Sequence, residues 1–344
     1  MRRVLFSVVI AFVVLGSIEA LSRVAVAIFE KEPPVPRYIK QFDPRLGWSL
    51  RPGMREWSSR TGYPILYAIN SNGLRDAEIP YAKPAGEFRI VLVGDSHTFG
   101  YGVPIAKHYS TLLEGYFSRV EVVNAGVGGY GVDQDLLMLQ YEGLRYEPDL
   151  VLAYVPHYGR QRHMHAWRYG RDKPLFELVD GVLRLTHSPV PDPHVGWAGV
   201  AAWLRRYSKA WDFIGGRFER LLVRLGAVEP EEDWRARDAD DWEDERFVER
   251  MNALGSRIVL EMDAVARRNG ARFALITKAR RTLDLYADTV AAGIPALDVS
   301  RPLDNRRFRL PARFRHMNES GNGVLAWEIA EFLKAQGLVP RAHW

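Results

Sequence analysis

The chain has 344 residues, 47% of them apolar, a formal charge of +5 and no cysteine. That length and apolar share suffice for a full core plus an insertion, and they exclude a disulfide scaffold or a thiolate metal site. The basic residues are dispersed and form no recognisable binding motif, so nucleic acid is not an expected partner; such a surface suits anionic headgroups or acidic polysaccharide.

At the amino terminus Arg2 and Arg3 precede an apolar run from Val4 to Ile18 that continues past Glu19 and Arg23 to Phe29. About 20 apolar residues cross a bilayer, and arginines before such a run stay cytoplasmic, so residues 1–29 read as a transmembrane signal-anchor. Glu19 and Arg23 are one helical turn apart and can pair. Ser17-Ile18-Glu19-Ala20 is a poor cleavage site, which favours an anchor over a removed signal peptide. The bulk of the chain is then expected in the periplasm or outside the cell. A stiff linker containing Lys31, Pro33, Pro34 and Pro36 follows in 30–41.

Residues 42–87 carry turn signals at Gly47-Trp48, Pro52-Gly53 and Asn72-Gly73 between short strand-like runs, and read as a β-rich preface. From residue 88 the pattern alternates: strand 89–93, helix 109–117, strand 120–123, helix 134–142, strand 150–155. It resumes with helix 247–268, strand 272–277, helix 283–292, strand 296–299 and helix 321–336. Alternation of this kind predicts an α/β fold, a three-layer parallel sheet flanked by helices, divided here into 88–159 and 247–339. Ligands of such sheets bind at the carboxyl ends of the strands.

The strand 89–93 runs into Gly94-Asp95-Ser96 and then a glycine-bearing turn. A serine there projects from the sheet edge beside the amides of a helix start, which is the geometry of a nucleophile. Asp95 is expected to shape the turn by local hydrogen bonds, and His97 to be a wall. Residues 160–246 interrupt the alternation with six tryptophans from Trp167 to Trp242 and acidic stretches at 229–232 and 238–245. So long a segment inside a compact domain predicts a helical lid or cap, its tryptophans forming a small core of their own or stacking on substrate. After the last strand, His316 is followed by Asn318 and Gly321 at the start of the final helix.

Gly94-Asp95-Ser96 and the His316, Asn318, Gly321 block together resemble the SGNH/GDSL hydrolases, over about residues 88–336 with the lid unmatched. The resemblance implies an SGNH/flavodoxin-like sheet and acyl-ester chemistry, with Ser96 as nucleophile and His316 as base. It also implies oxyanion donors at the Ser96 amide and at Gly129. A third family donor, an asparagine, is replaced here by Tyr158, whose phenol, or the neighbouring His157 imidazole, can donate to the oxyanion in its place; losing one such donor costs on the order of a hundredfold in rate. The family's aspartate three residues before the histidine is replaced by Arg313. Asp298 or Asp304 can orient the imidazole instead, or a backbone carbonyl can support a serine–histidine dyad. The implied function is an extracytoplasmic ester hydrolase acting on an acylated glycan or envelope lipid. Alternatives are an O-acetyltransferase of a surface polysaccharide, working beside export machinery, or an impaired glycan-binding or assembly protein.

Two other motifs point elsewhere. Gly126-Val127-Gly128-Gly129-Tyr130-Gly131 matches a dinucleotide-binding fingerprint, but the next strand lacks the acidic residue that would hold a ribose, since Asp149 stands at its wrong end. His157, His163 and His165 suggest a metal site, yet no carboxylate cluster joins them. No cofactor and no metal are expected.

Overall fold

The computed structural model describes residues 2–29, 39–59, 61–156, 161–168, 171–192, 204, 208, 210–211, 245–278, 283–311 and 316–344. The linker segment 31–36, His157, Tyr158, Arg313, the acidic stretches at 229–232 and 238–244, and the tryptophans of 160–246 other than Trp167 and Trp211 lie outside these residues. The chain divides into two compact units, Met1–Pro33 with Asp192–Asp233, and Pro34–Pro191 with Trp234–Trp344.

The first unit contains α1 (Arg2–Phe29). Phe6, Val9, Val13, Leu15 and Leu21 of α1 are exposed. The expected pair forms, with Arg23 Nε 2.8 Å from Glu19 Oε1. The other oxygen of Glu19 accepts from Ser208 Oγ at 2.8 Å and Ala210 N at 3.0 Å. Among the described residues no helix is long and apolar enough to cross a membrane; several side chains of α1, 2–5 and 26–29 among them, lie outside that set.

The second unit is built on five parallel strands, β5 (Phe88–Gly94), β6 (Val120–Asn124), β7 (Leu150–Val155), β12 (Arg272–Thr277) and β13 (Ala296–Asp298), in the order β13-β12-β7-β5-β6. Every residue of β5 and β7 is buried. Because alternate side chains leave a strand on opposite faces, each central strand feeds two cores. Ile90, Leu92, Leu150 and Leu152 pack with α3 (Tyr109–Glu114) and α7 (Glu319–Ala335). Val91, Val93, Val151 and Ala153 pack with α4 (Val132–Tyr141), α5 (Glu245–Arg268) and α6 (Leu283–Ala291). Each large aliphatic side chain so enclosed is worth about 1.5–3 kcal/mol relative to exposure.

The preface forms two hairpins, β1 (Lys40–Asp43) with β2 (Gly47–Leu50) and β3 (Arg55–Ser58) with β4 (Ile65–Ala68), and so takes in Lys40 and Gln41 from the stretch expected as linker. Its Trp48, Leu50, Ile65 and Tyr67 share the core of Val91 and Val93, so it is a layer of the second unit.

The expected helical lid differs in its described part, 161–192. A single 3-10 turn at Gln161–Met164 is followed by the short pair β8 (Trp167–Arg168) and β9 (Arg171–Asp172), then by the hairpin of β10 (Leu175–Val179) and β11 (Val182–Thr186). The hairpin turns at Asp180-Gly181, both at positive φ, 52° and 76°. That geometry suits a two-residue connection whose twist matches the strands, and it overrides any helical tendency of the segment.

Candidate active site

β5 delivers its carboxyl end into α2 (Ser96–Phe99) through Gly94, whose φ is 155°. A side-chain carbon at Gly94 would stand 2.3 Å from Thr98 Oγ1 and 2.9 Å from the Tyr154 carbonyl, so only glycine allows the turn. Asp95 shapes it as expected, accepting from His97 N at 2.9 Å. It also accepts from Arg162 Nη1 at 3.0 Å, and that nitrogen donates at 2.7 Å to the Tyr130 carbonyl. Burial pushes the Asp95 carboxyl up, but Arg162 beside it, with His97 and the amide bond, holds it below the usual carboxylate range.

His316 reaches this turn from the far end of the chain. Arg309 and Met317 form an antiparallel bridge, and Leu310 N donates to the His316 carbonyl at 2.8 Å. Asn318 caps α7 by accepting from Gly321 N at 2.9 Å. Thus fixed, His316 Nε2 lies 2.8 Å from Ser96 Oγ across 220 residues of sequence. The His97 and Tyr101 rings stand on it, each with centroids 4.9 Å away. His97 is a wall, as read from the sequence; burial, reinforced by nearby cations, depresses its pKa to about 3 and keeps it neutral.

The loop after β6 is tied to β5 by Ala125 N to the Leu92 carbonyl at 2.9 Å and Val127 N to the Gly94 carbonyl at 3.0 Å. At Gly126 a side-chain carbon would come within 2.4 Å of the Thr98 backbone, so this glycine exists to let two backbones touch. The glycine cluster therefore closes on α2. Asp149, at the amino end of β7, accepts from Arg89 N at 2.7 Å and pairs with Lys83 at 2.6 Å, which is its role in place of a ribose contact. Gly129 is buried with φ 93°. Among the described residues neither its N–H nor that of Ser96 has an acceptor.

The other expected residues are placed as follows. Asp298 ends β13, three strands from β5, so roughly 14 Å away at ~4.8 Å per strand, and its Oδ1 accepts from Ser300 N at 2.8 Å. Asp304 lies 3.6 Å from Arg309 Nη2. His163 is buried with Nε2 2.9 Å from the Met251 carbonyl, and the His165 ring stacks on Phe247. Sequence reasoning missed Arg162 and Lys40. Arg162 lies in the stretch between Asp149 and Asp172, which holds no acidic residue and was a readable signal. Nothing in the sequence marks Lys40, whose ammonium donates to the Gly128 carbonyl.

No family model matches the chain, and none of the curated proteins compared with it is a match. Similar solved structures include a lipolytic protein of the G-D-S-L family from Desulfitobacterium hafniense, 11% identical with TM-score 0.40, covering 72% of this chain and 100% of that one. Another is the lipase/acylhydrolase from Enterococcus faecalis, 15% identical with TM-score 0.38, covering 72% and 96%. A third is a two-domain esterase active on acetylated mannans, 14% identical with TM-score 0.38, covering 73% of this chain and 50% of that one. At these values the likeness carries no argument about activity, which rests on the distances at the site. Gly94-Asp95-Ser96 closes a central parallel strand, and His316 ahead of the last helix is in hydrogen-bond contact with that serine, the arrangement that the sequence resemblance to the SGNH/GDSL hydrolases implies.

Proposed function

We propose that the chain is an extracytoplasmic serine ester hydrolase that acts on an acyl or acetyl ester of a glycan or envelope lipid through a Ser96 acyl-enzyme. The observation that carries this reading is the 2.8 Å contact between Ser96 Oγ and His316 Nε2. As Oγ attacks the ester carbonyl, Nε2 takes its proton; the carbonyl oxygen becomes an oxyanion facing the free amides of Ser96 and Gly129. Collapse expels the alcohol, which receives the proton from His316. Water then attacks the acyl-enzyme by the same proton path, restoring Ser96 and releasing the acid. A sugar hydroxyl in place of water would make the second half an acyl transfer.

The apolar run 4–18 after two arginines supports α1 as a single-pass anchor that holds the catalytic unit outside the cytoplasm. Extraction of membranes at alkaline pH tests this; an anchored chain stays in the pellet.

Incubation with a fluorophosphonate probe tests the chemistry. Wild-type protein is expected to label at Ser96 and to hydrolyse a short-chain nitrophenyl ester, whereas Ser96→Ala does neither. A folded wild type that resists the probe and leaves the ester intact overturns the reading.

A further inference from the structure

The Gly128 carbonyl is held by two donors from the preface, the Lys40 ammonium and Trp48 Nε1, the latter at 3.3 Å. Gly128 itself stands between Lys40 and the nucleophile. A side-chain carbon built on it would lie 3.8 Å from Lys40 Nζ and 3.9 Å from Ser96 Cβ. In a trans peptide the carbonyl and the following N–H point in opposite directions. Fixing the Gly128 oxygen therefore fixes the aim of the Gly129 N–H, a buried donor without an acceptor among the described residues. A cation bonded to the oxygen of a peptide also draws electron density from its nitrogen, which makes the N–H a stronger donor.

We propose that Lys40 is a positioning residue of the ester chemistry, locking and polarising the Gly128–Gly129 peptide so that the Gly129 N–H meets the developing oxyanion. The inference rests on the serine hydrolase reading above. It adds a contributor drawn from the preface, outside the two blocks that carry the family resemblance. The Lys40 ammonium has no carboxylate partner among the described residues; the charged groups facing it are Arg162 and Arg171, and its nearest ring is Trp48, 5.3 Å to the centroid. Burial, reinforced by the like charges of Arg171 and Arg162, lowers its pKa to about 7, so Lys40 carries its full charge only below that pH.

The test compares Lys40→Arg, Lys40→Gln and Lys40→Met with wild type, using the phosphonylation rate, steady-state hydrolysis of nitrophenyl acetate and the melting temperature. Lys40→Met is expected to lower kcat and phosphonylation by about 10- to 100-fold with KM within about twofold, the pattern of a group acting only in the transition state. Lys40→Gln, which keeps a donor but no charge, should fall between Met and Arg, and Lys40→Arg should restore most of the rate. A group that merely filled space would not produce this ranking by donor and charge. Should Lys40→Met fail to fold, the ranking of Arg above Gln carries the test. Equal rates in folded variants, with wild type still labelled at Ser96, overturn this inference alone; a wild type that does not label overturns the hydrolase reading and this with it.

Discussion

The sheet and the preface grip the same turns around Ser96 in different ways. The sheet holds them through continuity, since Ser96, the Gly126–Gly131 loop and the segment before His316 each follow a strand, and apolar packing on both faces fixes where the strands end. The preface holds them through main-chain atoms. Arg75 is fully buried and donates to the carbonyls of Phe99 at 3.0 Å, Gly100 and Val103 at 2.7 Å. Tyr67 Oη accepts from Gly102 N at 2.9 Å, Tyr63 Oη donates to the Gly102 carbonyl at 3.0 Å, and Lys40 takes the Gly128 carbonyl. A parallel sheet brings catalytic loops to one edge, and a second layer of polar side chains sets their peptide planes.

The largest expected effect breaks the sheet-borne half of that comparison. His316→Gln should reduce phosphonylation of Ser96 by about 10³-fold or more while the melting temperature moves little, because the base is lost and the packing is not. Next comes the preface. Arg75→Met should cost about 3 kcal/mol of unfolding free energy in denaturant titration, since three buried carbonyls lose a charged donor. An Arg75→Met protein as stable as wild type would show the preface to be a passive cover.

A third prediction concerns pH. His97 and His108 are buried, and burial lowers both pKa values to about 3, below the unfolded value near 6.5. Below pH 6.5 the unfolded chain takes up protons that the folded chain refuses at these two sites, so their contribution to stability is full above pH 6.5 and falls as pH drops toward 3; buried Asp76, whose pKa burial raises to about 7, contributes with the opposite sign. The slope is about 1.4 kcal/mol per pH unit for each imidazole across that window. His108→Gln should lower the slope of unfolding free energy between pH 6.5 and pH 5 by up to about 1.4 kcal/mol per pH unit, the share of one imidazole; an unchanged slope would show that His108 takes up its proton as readily in the folded chain as in the unfolded one. The smallest effect belongs to the hairpin found where a helical lid was expected. Gly181→Ala should cost about 1 kcal/mol, by placing a side chain at φ 76° with no neighbour to clash against.

Much of the sheet was readable in the sequence because buried parallel strands are continuous apolar runs. The ranges 150–155 and 272–277 were read as they stand, and helix 109–117 differs only at its end, stopping at Glu114. Ser96 was readable where a buried strand runs into a glycine-bearing turn, whereas His316 was read from the resemblance of its block with Asn318 and Gly321 to the SGNH/GDSL hydrolases. The preface grip was not. Arg75 sits between Leu74 and Asp76 in a stretch that reads as turn signals, and a lone lysine in a four-residue strand gives no hint that it points at a carbonyl. Contacts to main-chain oxygen leave no trace in the partner's residue type. The hairpin at 175–186 was readable in principle, from Asp180-Gly181 between alternating runs, but tryptophan content and length pulled the reading toward a helical cap.

The hold of Arg75 on main-chain oxygens has a consequence for how this turn tolerates sequence change. Carbonyl oxygens are common to all amino acids, so the guanidinium's grip on 99, 100 and 103 does not depend on which side chains stand there, and substitutions in the turn are limited by packing, as at the fully buried Val103.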